Sequence, residues 1–189
     1  MKIAILALQG AFAEHQQMLQ RLGAETFLVR NLKDFSQPKD GLIIPGGEST
    51  AMLRIMNDEG LLLPIQTEIL HGLPVFGTCA GMILLAKQVE GEQRRRLATM
   101  DICVRRNAYG RQLGSFSTEG EFRGIPTPPL LPMTFIRAPY INNVEADVEI
   151  LSVIDGHIVA ARQDKQLVCS FHPELTSDPR IHQYFLNLC

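Results

Sequence analysis

A cysteine flanked by small residues is the first candidate for chemistry in the sequence. Cys79 lies within GTCAG (residues 77–81), between the apolar runs LPVF and MILLA. This G-x-C-x-G spacing is the cysteine form of a nucleophile elbow, a sharp strand-to-helix turn that exposes the reactive side chain. Amides at the start of the helix favour the thiolate, and the amide of Ala80 is a candidate oxyanion donor. A buried structural thiol is the alternative interpretation, because cysteine is frequently buried.

A histidine and a carboxylate two positions apart supply a candidate base for that thiol. His172 and Glu174 lie in SFHPE, directly after an apolar strand. Pro173 favours an extended backbone at His172, and side chains at i and i+2 of an extended chain point the same way. Glu174 is therefore expected to orient the imidazole, which with Cys79 completes a triad. The competing interpretation is a solvated His and Glu at a strand end. The other histidines are interpreted as structural or surface residues: His15, His71, His157 and His182.

A diglycine turn follows another apolar run. In LIIPGGEST (residues 42–50) the strand breaks at Pro45, and the amide of Gly47 is a candidate second oxyanion donor. Glu48 and Ser49 either contact a polar, amino-acid-like ligand or cap the next helix. The sequence has no P-loop, and no GxGxxG follows its first strand, so neither phosphate-binding motif is indicated.

An open α/β sheet would bring these three stretches to one edge. Strands are predicted at 2–8, 25–30, 40–47 and 73–77. Helical spacing from Phe12 to Leu22, ended by Gly23, separates the first two strands. This order predicts parallel strands with right-handed crossovers, and such sheets bind ligands at their carboxyl edge.

Short strands dominate the second half of the chain. Candidates are MDICVRR, GSFSTEGEFRG, MTFIRAP and the three strands of VEILSVIDGHIVAARQDKQLVC, with a hairpin turn at Asp155-Gly156. A helix at 178–188 closes the sequence. We therefore predict one α/β domain over residues 1–189, with a mostly parallel sheet and antiparallel strands in the C-terminal half.

The composition and charge of the chain limit the kinds of partner that it is expected to bind. The chain has 189 residues, a formal charge of −2 and 20% charged residues, which favours one globular domain and gives no support for nucleic-acid or membrane partners. Arg94-Arg95-Arg96 is interpreted as a solvated loop or a partner contact. No apolar run is long enough to span a membrane. The four cysteines show no CxxC spacing, which argues against a zinc site or a disulfide scaffold and favours the cytoplasm: Cys79, Cys103, Cys169 and Cys189.

In the order PGGES, GTCAG and HPE, the motifs resemble the class I, triad-type glutamine amidotransferases. Further stretches are similar to one family in that class, the glutaminase subunits of pyridoxal phosphate synthase: ALQGAFAEH, LIIPGGEST, GTCAGMILLAK, RNAYGRQLGSF, FIRAP, VAARQ and SFHPELTSDPRIHQYFL. These stretches run from residue 7 to 186, and GGEST and RNAYGRQ are the more specific. The resemblance implies a three-layer fold, in which a mostly parallel sheet is flanked by helices.

The resemblance also implies an activity. Members hydrolyse L-glutamine to L-glutamate and ammonia, without a metal or cofactor. The ammonia passes to a synthase subunit that assembles pyridoxal 5'-phosphate (vitamin B6) within a large complex. The implied triad is Cys79, His172 and Glu174, and the implied oxyanion donors are Gly47 and Ala80. The implied glutamine contacts are Gly47, Glu48, Ser49, Arg106, Ile136 and Arg137.

Two other functions stay open on the residues alone. The same acyl-transfer groups would serve a γ-glutamyl peptidase, and a non-catalytic partner subunit would keep Cys79 for packing. A glutaminase working alone would waste glutamine, so we expect the lone chain to be nearly inactive. Gln9 and Gly10, with Gly46-Gly47, are the expected flexible points where docking resets the oxyanion loop.

Overall fold

Strands and helices alternate in the first half of the chain. The computed structural model describes residues 1–106 and 114–189. The elements up to the elbow are β1 (Lys2–Leu6), α1 (Phe12–Arg21), β2 (Glu25–Val29), α2 (Leu32–Phe35), β3 (Gly41–Ile44), α3 (Ser49–Asp58), α4 (Leu62–Leu70), β4 (Val75–Thr78) and α5 (Ala80–Leu85). Gly23 follows α1 with φ +82, a conformation that glycine adopts without a steric cost.

Strands dominate the second half. They are β5 (Ala86–Val89), β6 (Met100–Arg105), β7 (Ser115–Gly120), β8 (Leu131–Ile136), β9 (Tyr140–Val144), β10 (Glu149–Ile154), β11 (His157–Gln163) and β12 (Gln166–Cys169). A 3-10 turn, Pro173–Leu175, and helix α6 (Arg180–Leu186) follow. Asp155 and Gly156, both at positive φ, form the predicted hairpin turn between β10 and β11.

The main sheet is parallel on one side and mostly antiparallel on the other. Its order is β2-β1-β3-β4-β12-β11-β9-β6-β5, with β10 paired to β11. The strands from β2 to β12 in this order are parallel, whereas β12, β11, β9 and β6 pair antiparallel. A separate antiparallel pair joins β7 and β8. The carboxyl ends of β1, β3, β4 and β12 therefore meet at one edge.

Apolar cores cover both faces of the sheet, as the continuous apolar runs of its parallel strands require. Alternate residues of β1 enter opposite cores: Ile3 and Ile5 join α1 and α6, whereas Ala4 and Leu6 join α3, α4 and α5. The predicted three-layer class, with antiparallel strands in the C-terminal half, is confirmed. The short elements α2, β5 and β9 were not predicted, because none of them has the continuous apolar run that marks the equally short strands β3 and β4.

Candidate active site

The elbow at Cys79 is formed as the glycine spacing predicts. Cys79 lies between β4 and α5 with φ 48 and ψ −98, a backbone conformation that L-residues rarely adopt. A Cβ on Gly81 would overlap the carbonyl oxygen of Ile44, and one on Gly77 would lie 2.8 Å from the carbonyl carbon of Gly81. Both glycines are thus required for α5 to pack backbone to backbone against the sheet. The Cys79 amide donates to the Cys169 carbonyl at 2.8 Å, which ties the elbow to β12.

The histidine and carboxylate from the HPE motif lie beyond the end of β12. His172 Nδ1 is 2.7 Å from Glu174 Oε1, and both residues are buried. The predicted contact is present, but its geometry differs from the expectation, because Glu174 lies in the 3-10 turn and not in an extended segment. The backbone amide of His172 donates to the carbonyl of Thr134 at 2.8 Å, so β8 fixes the position of the imidazole.

Electrostatics favour an ion pair between the imidazole and its neighbours. Burial disfavours the imidazolium, but hydrogen bonding to Cys79 and then to Glu174 outweighs it and raises the pKa of His172 to about 10. Burial also opposes ionisation of Glu174, yet nearby His15 and His172 hold the pKa of that carboxyl below its usual value. An imidazolium beside a cysteine favours the thiolate, which is the reactive form.

The diglycine turn is tied to the segment that follows β1. The Gly46 carbonyl accepts from the Ala11 amide at 3.0 Å, and the Glu48 amide donates to Gln9 Oε1 at 2.7 Å. Gly10 has φ +93, and a Cβ there would overlap the Gly46 carbonyl. The orientation of the Gly46-Gly47 peptide therefore depends on Gln9 and Gly10, which sequence reasoning had selected as a control point.

A cavity of about 440 Å³ opens at this edge of the sheet. Its walls include most of the predicted site residues: Gln9, Gly47, Glu48, Ser49, Cys79, Arg106, Ile136, Arg137 and His172. Ala80 and Glu174 are buried beside it. Ile83 and Pro139 also line it and were missed. Ile83 is one helical turn after Cys79, a spacing that was available in the sequence.

Charged side chains at the mouth of the cavity are paired with one another. Glu48 accepts from the amides of Thr50 and Ala51 at 3.0 and 2.7 Å, so it caps α3, whereas Ser49 is the first residue of that helix. The Arg106 guanidinium lies 3.5 Å from Glu48 and 2.8 Å from Glu92. The remainder of RNAYGRQ falls in 107–113, outside the described residues.

Within the arginine run, interpreted from the sequence as a solvated loop or a partner contact, Arg94 and Arg95 are exposed and Arg96 is buried. Arg96 is only 6% exposed and lies 3.4 Å from Glu92, so it is part of the folded structure. Arg94 and Arg95 line an open depression of about 940 Å³ that shares no described residue with the Cys79 cavity. Among the described residues that line it, the larger depression has the thiol of Cys103 but no histidine, so we take the smaller cavity as the candidate site.

The Cys79 elbow, the buried His172–Glu174 pair and the cavity form an arrangement suited to a cysteine amidotransferase, and the family comparison gives the same class. Residues 5–189 match the SNO glutamine amidotransferase family, to which this chain belongs. Over its whole length it is 57% identical to the pyridoxal 5'-phosphate synthase subunit PdxT of Streptococcus pneumoniae, covering 98% of that protein. A PdxT from another strain, CGSP14, is equally similar and is covered to 97%.

Solved structures give the same result for the fold. One described as a glutamine amidotransferase superposes with a TM-score of 0.92 at 41% identity, over 98% of this chain and 97% of the other. A glutamine amidotransferase from Thermotoga maritima shares the fold at a TM-score of 0.62 and 14% identity, over 98% and 82% of the two chains. Among the helices of residues 1–106 and 114–189, none has the length and apolarity to cross a bilayer.

Proposed function

We propose that this chain is a glutaminase that hydrolyses L-glutamine to L-glutamate and ammonia and delivers the ammonia to a pyridoxal 5'-phosphate synthase subunit. The observation that carries the proposal is the placement of Cys79 on a strained elbow beside the buried His172–Glu174 pair, in one cavity. The family and its PdxT relatives support glutamine as the substrate and the synthase as the partner.

In the first half of the reaction, Cys79 is the nucleophile. The thiolate attacks the side-chain amide carbon of glutamine, and the oxyanion is stabilised by the amides of Ala80 and Gly47. Ala80 begins α5, where helix amides have no intrahelical acceptor. Each oxyanion donor of this type lowers the barrier by about 2.7–4 kcal/mol. His172 gives its proton to the leaving nitrogen, so the C–N bond breaks, ammonia departs and a thioester remains.

In the second half, a water molecule replaces the ammonia. His172 takes a proton from the water as its oxygen attacks the thioester carbon. The C–S bond breaks, which releases glutamate and restores the Cys79 thiolate and the His172 imidazolium. Glu174 stays ionised throughout, and its contact with Nδ1 directs Nε2 of the imidazole towards the reacting groups.

Charges around the cavity suit a free amino acid. Arg106 and Arg137 offer guanidinium groups for the α-carboxylate, and Glu48 offers a carboxylate for the α-ammonium. Gly47, Ser49 and Ile136 complete the glutamine contacts that we propose.

Docking of the synthase subunit is proposed to activate the enzyme. Because Gln9, Gly10 and Ala11 hold the diglycine turn, a partner that contacts this segment can reorient the Gly47 amide. The lone chain is then nearly inactive, and glutamine is spared when no acceptor for ammonia is present. Residues 1–189 act as one domain, in the cytoplasm.

Ammonia release from glutamine, measured with and without the synthase subunit, tests the proposal. The complex is expected to release ammonia, the lone chain far less, and the complex with Cys79→Ala about 10³-fold less or below. Cys103→Ala is the matched control, because this thiol lies outside the Cys79 cavity. No release by the intact complex, or turnover by Cys79→Ala, would overturn the proposal. Hydrolysis of a γ-glutamyl peptide in place of glutamine would indicate a peptidase.

A further inference from the structure

Behind the triad, the second oxygen of Glu174 faces a buried histidine. Glu174 Oε1 holds His172, but Oε2 has no hydrogen-bond partner within normal distance among the described residues. His15 Nε2 lies 3.5 Å from this oxygen, and both side chains are fully buried. A buried carboxylate oxygen without a close donor is costly, so an N–H at this position would help to hold the carboxylate.

His15 is itself held by two buried side chains. Its Nε2 lies 3.1 Å from Thr78 Oγ1, and its Nδ1 lies 2.8 Å from His182 Nε2. All of these side chains are inaccessible to solvent. His182 Nδ1 has no partner in the described part of the chain. Among the described residues, the polar side chains that approach this histidine pair are therefore those of Thr78 and Glu174.

Burial settles the protonation of this pair. Desolvation lowers the pKa of His15 and, more strongly, that of His182, so both imidazoles are neutral at physiological pH. Each ring then carries one N–H, and the short contact between them needs one donor and one acceptor. Two arrangements of the protons satisfy that contact.

Only one arrangement agrees with the surroundings. With the His15 proton on Nδ1, the lone pair of Nε2 would face the Glu174 carboxylate, and His182 Nδ1–H would be a buried donor without an acceptor. With the proton on Nε2, His15 donates toward Thr78 and Glu174, and His182 Nε2–H donates to His15 Nδ1. The second arrangement leaves a single unpaired acceptor, which is the smaller cost, because orphaned buried N–H groups are rare.

We propose that His15, with its tautomer fixed by His182, is a positioning residue of the catalytic triad whose Nε2–H orients the Glu174 carboxylate toward His172. This role rests on the proposed glutaminase function. His15 touches neither substrate nor Cys79. It acts through Glu174, so its loss misaligns the proton transfers of His172 and leaves the glutamine cavity unchanged.

Three substitutions, each measured in the synthase complex, test whether His15 acts as a hydrogen-bond donor or only fills space in the core. His15→Leu removes the donor, and kcat for ammonia release is expected to fall about 10- to 100-fold, a part of the 10²–10⁴ that acid–base catalysis supplies, with KM within about threefold. His15→Gln restores an N–H near the Nε2 position, and kcat is expected within about fivefold of wild type. Phe76→Leu changes the ring that contacts both His15 and His182, with kcat expected within about twofold.

The tautomer is tested on the intact lone chain. In ¹⁵N-histidine NMR spectra, with His15→Gln used for assignment, His15 is expected to be neutral and protonated at Nε2. This measurement still tests the proposal if His15→Leu does not fold.

The proposal is overturned by a His15 proton on Nδ1, by unchanged kcat in folded His15→Leu, by equal losses in the Leu and Gln variants, or by an equal loss in Phe76→Leu. If the wild-type complex releases no ammonia, the glutaminase function itself fails, which is a separate outcome.

Discussion

The strained backbone at Cys79 predicts an inverted order of stability for two small substitutions. Cys79→Ala keeps Cβ and therefore keeps the strain of φ 48 with ψ −98. Cys79→Gly removes Cβ, and glycine populates positive φ about as readily as negative φ. At ordinary positions the glycine variant is the less stable of the two. At the elbow we expect the glycine variant to be the more stable.

The size of the effect follows from three contributions. A residue in a sparsely populated region costs about 1–3 kcal/mol, and the upper end applies because this φ,ψ pair lies outside the left-handed helical region as well. Glycine loses about 0.5–1 kcal/mol more backbone entropy on folding than alanine. The buried methyl group that it lacks is worth about 0.8 kcal/mol. The free energy of unfolding of Cys79→Gly should therefore exceed that of Cys79→Ala by about 1 kcal/mol.

Urea unfolding of the lone chain measures this difference. With a slope of about 2 kcal/mol/M, the midpoint of Cys79→Gly should lie about 0.5 M above that of Cys79→Ala. Ala80→Gly in the Cys79→Ala background is the matched control, since Ala80 is buried and has no positive φ. There we expect a loss of about 1–2 kcal/mol. If Cys79→Gly is less stable than Cys79→Ala, the backbone at the elbow is not strained and the reasoning is refuted.

Three further results are expected. Gly46→Ala places a Cβ onto Cε1 of His172, so kcat in the complex should fall about 100-fold or more while circular dichroism is unchanged; a near-normal kcat would contradict this geometry. Glu92→Gln weakens the anchor of Arg106, so KM for glutamine should rise several-fold with kcat within about twofold, whereas Glu90→Gln should leave both unchanged. The pKa of His172 is about 6.5 in the unfolded chain and about 10 in the folded one. The charged imidazole therefore stabilises the folded state fully below pH 6.5, and this contribution is lost as the pH rises through 10. The unfolding free energy of wild type relative to His172→Gln should shrink over that range, and a gap that widens with pH would count against an imidazolium.

Sequence patterns predicted the parts of the site that local geometry encodes. The elbow at Cys79 follows from glycine spacing, because only glycine permits α5 to approach the sheet so closely. The His172–Glu174 contact was also predicted, although its geometry is a 3-10 turn. Gln9 and Gly10 were selected as a control point because they follow a strand, and both contact the diglycine turn.

Contacts between distant parts of the chain were not predictable from the sequence. The pairing of His15 with His182 joins residues 167 positions apart, and the sequence indicates each of them only as a structural or surface histidine. No periodicity or spacing encodes such a pair, since the packing of α1 and α6 on the same face of the sheet brings the two residues together.

Strand β8 connects the packing of the core to the position of His172. The carbonyl of Thr134 accepts a hydrogen bond from the amide of His172, and Phe135 packs on Phe171, which directly precedes His172. Met133 is also buried on the same strand. In a growth selection that depends on the enzyme, conservative changes at Met133 or Phe135 would register as catalytic lesions, although neither side chain lines the cavity. The mutational tolerance of this small sheet is therefore set by the position of one imidazole and not only by the stability of the fold.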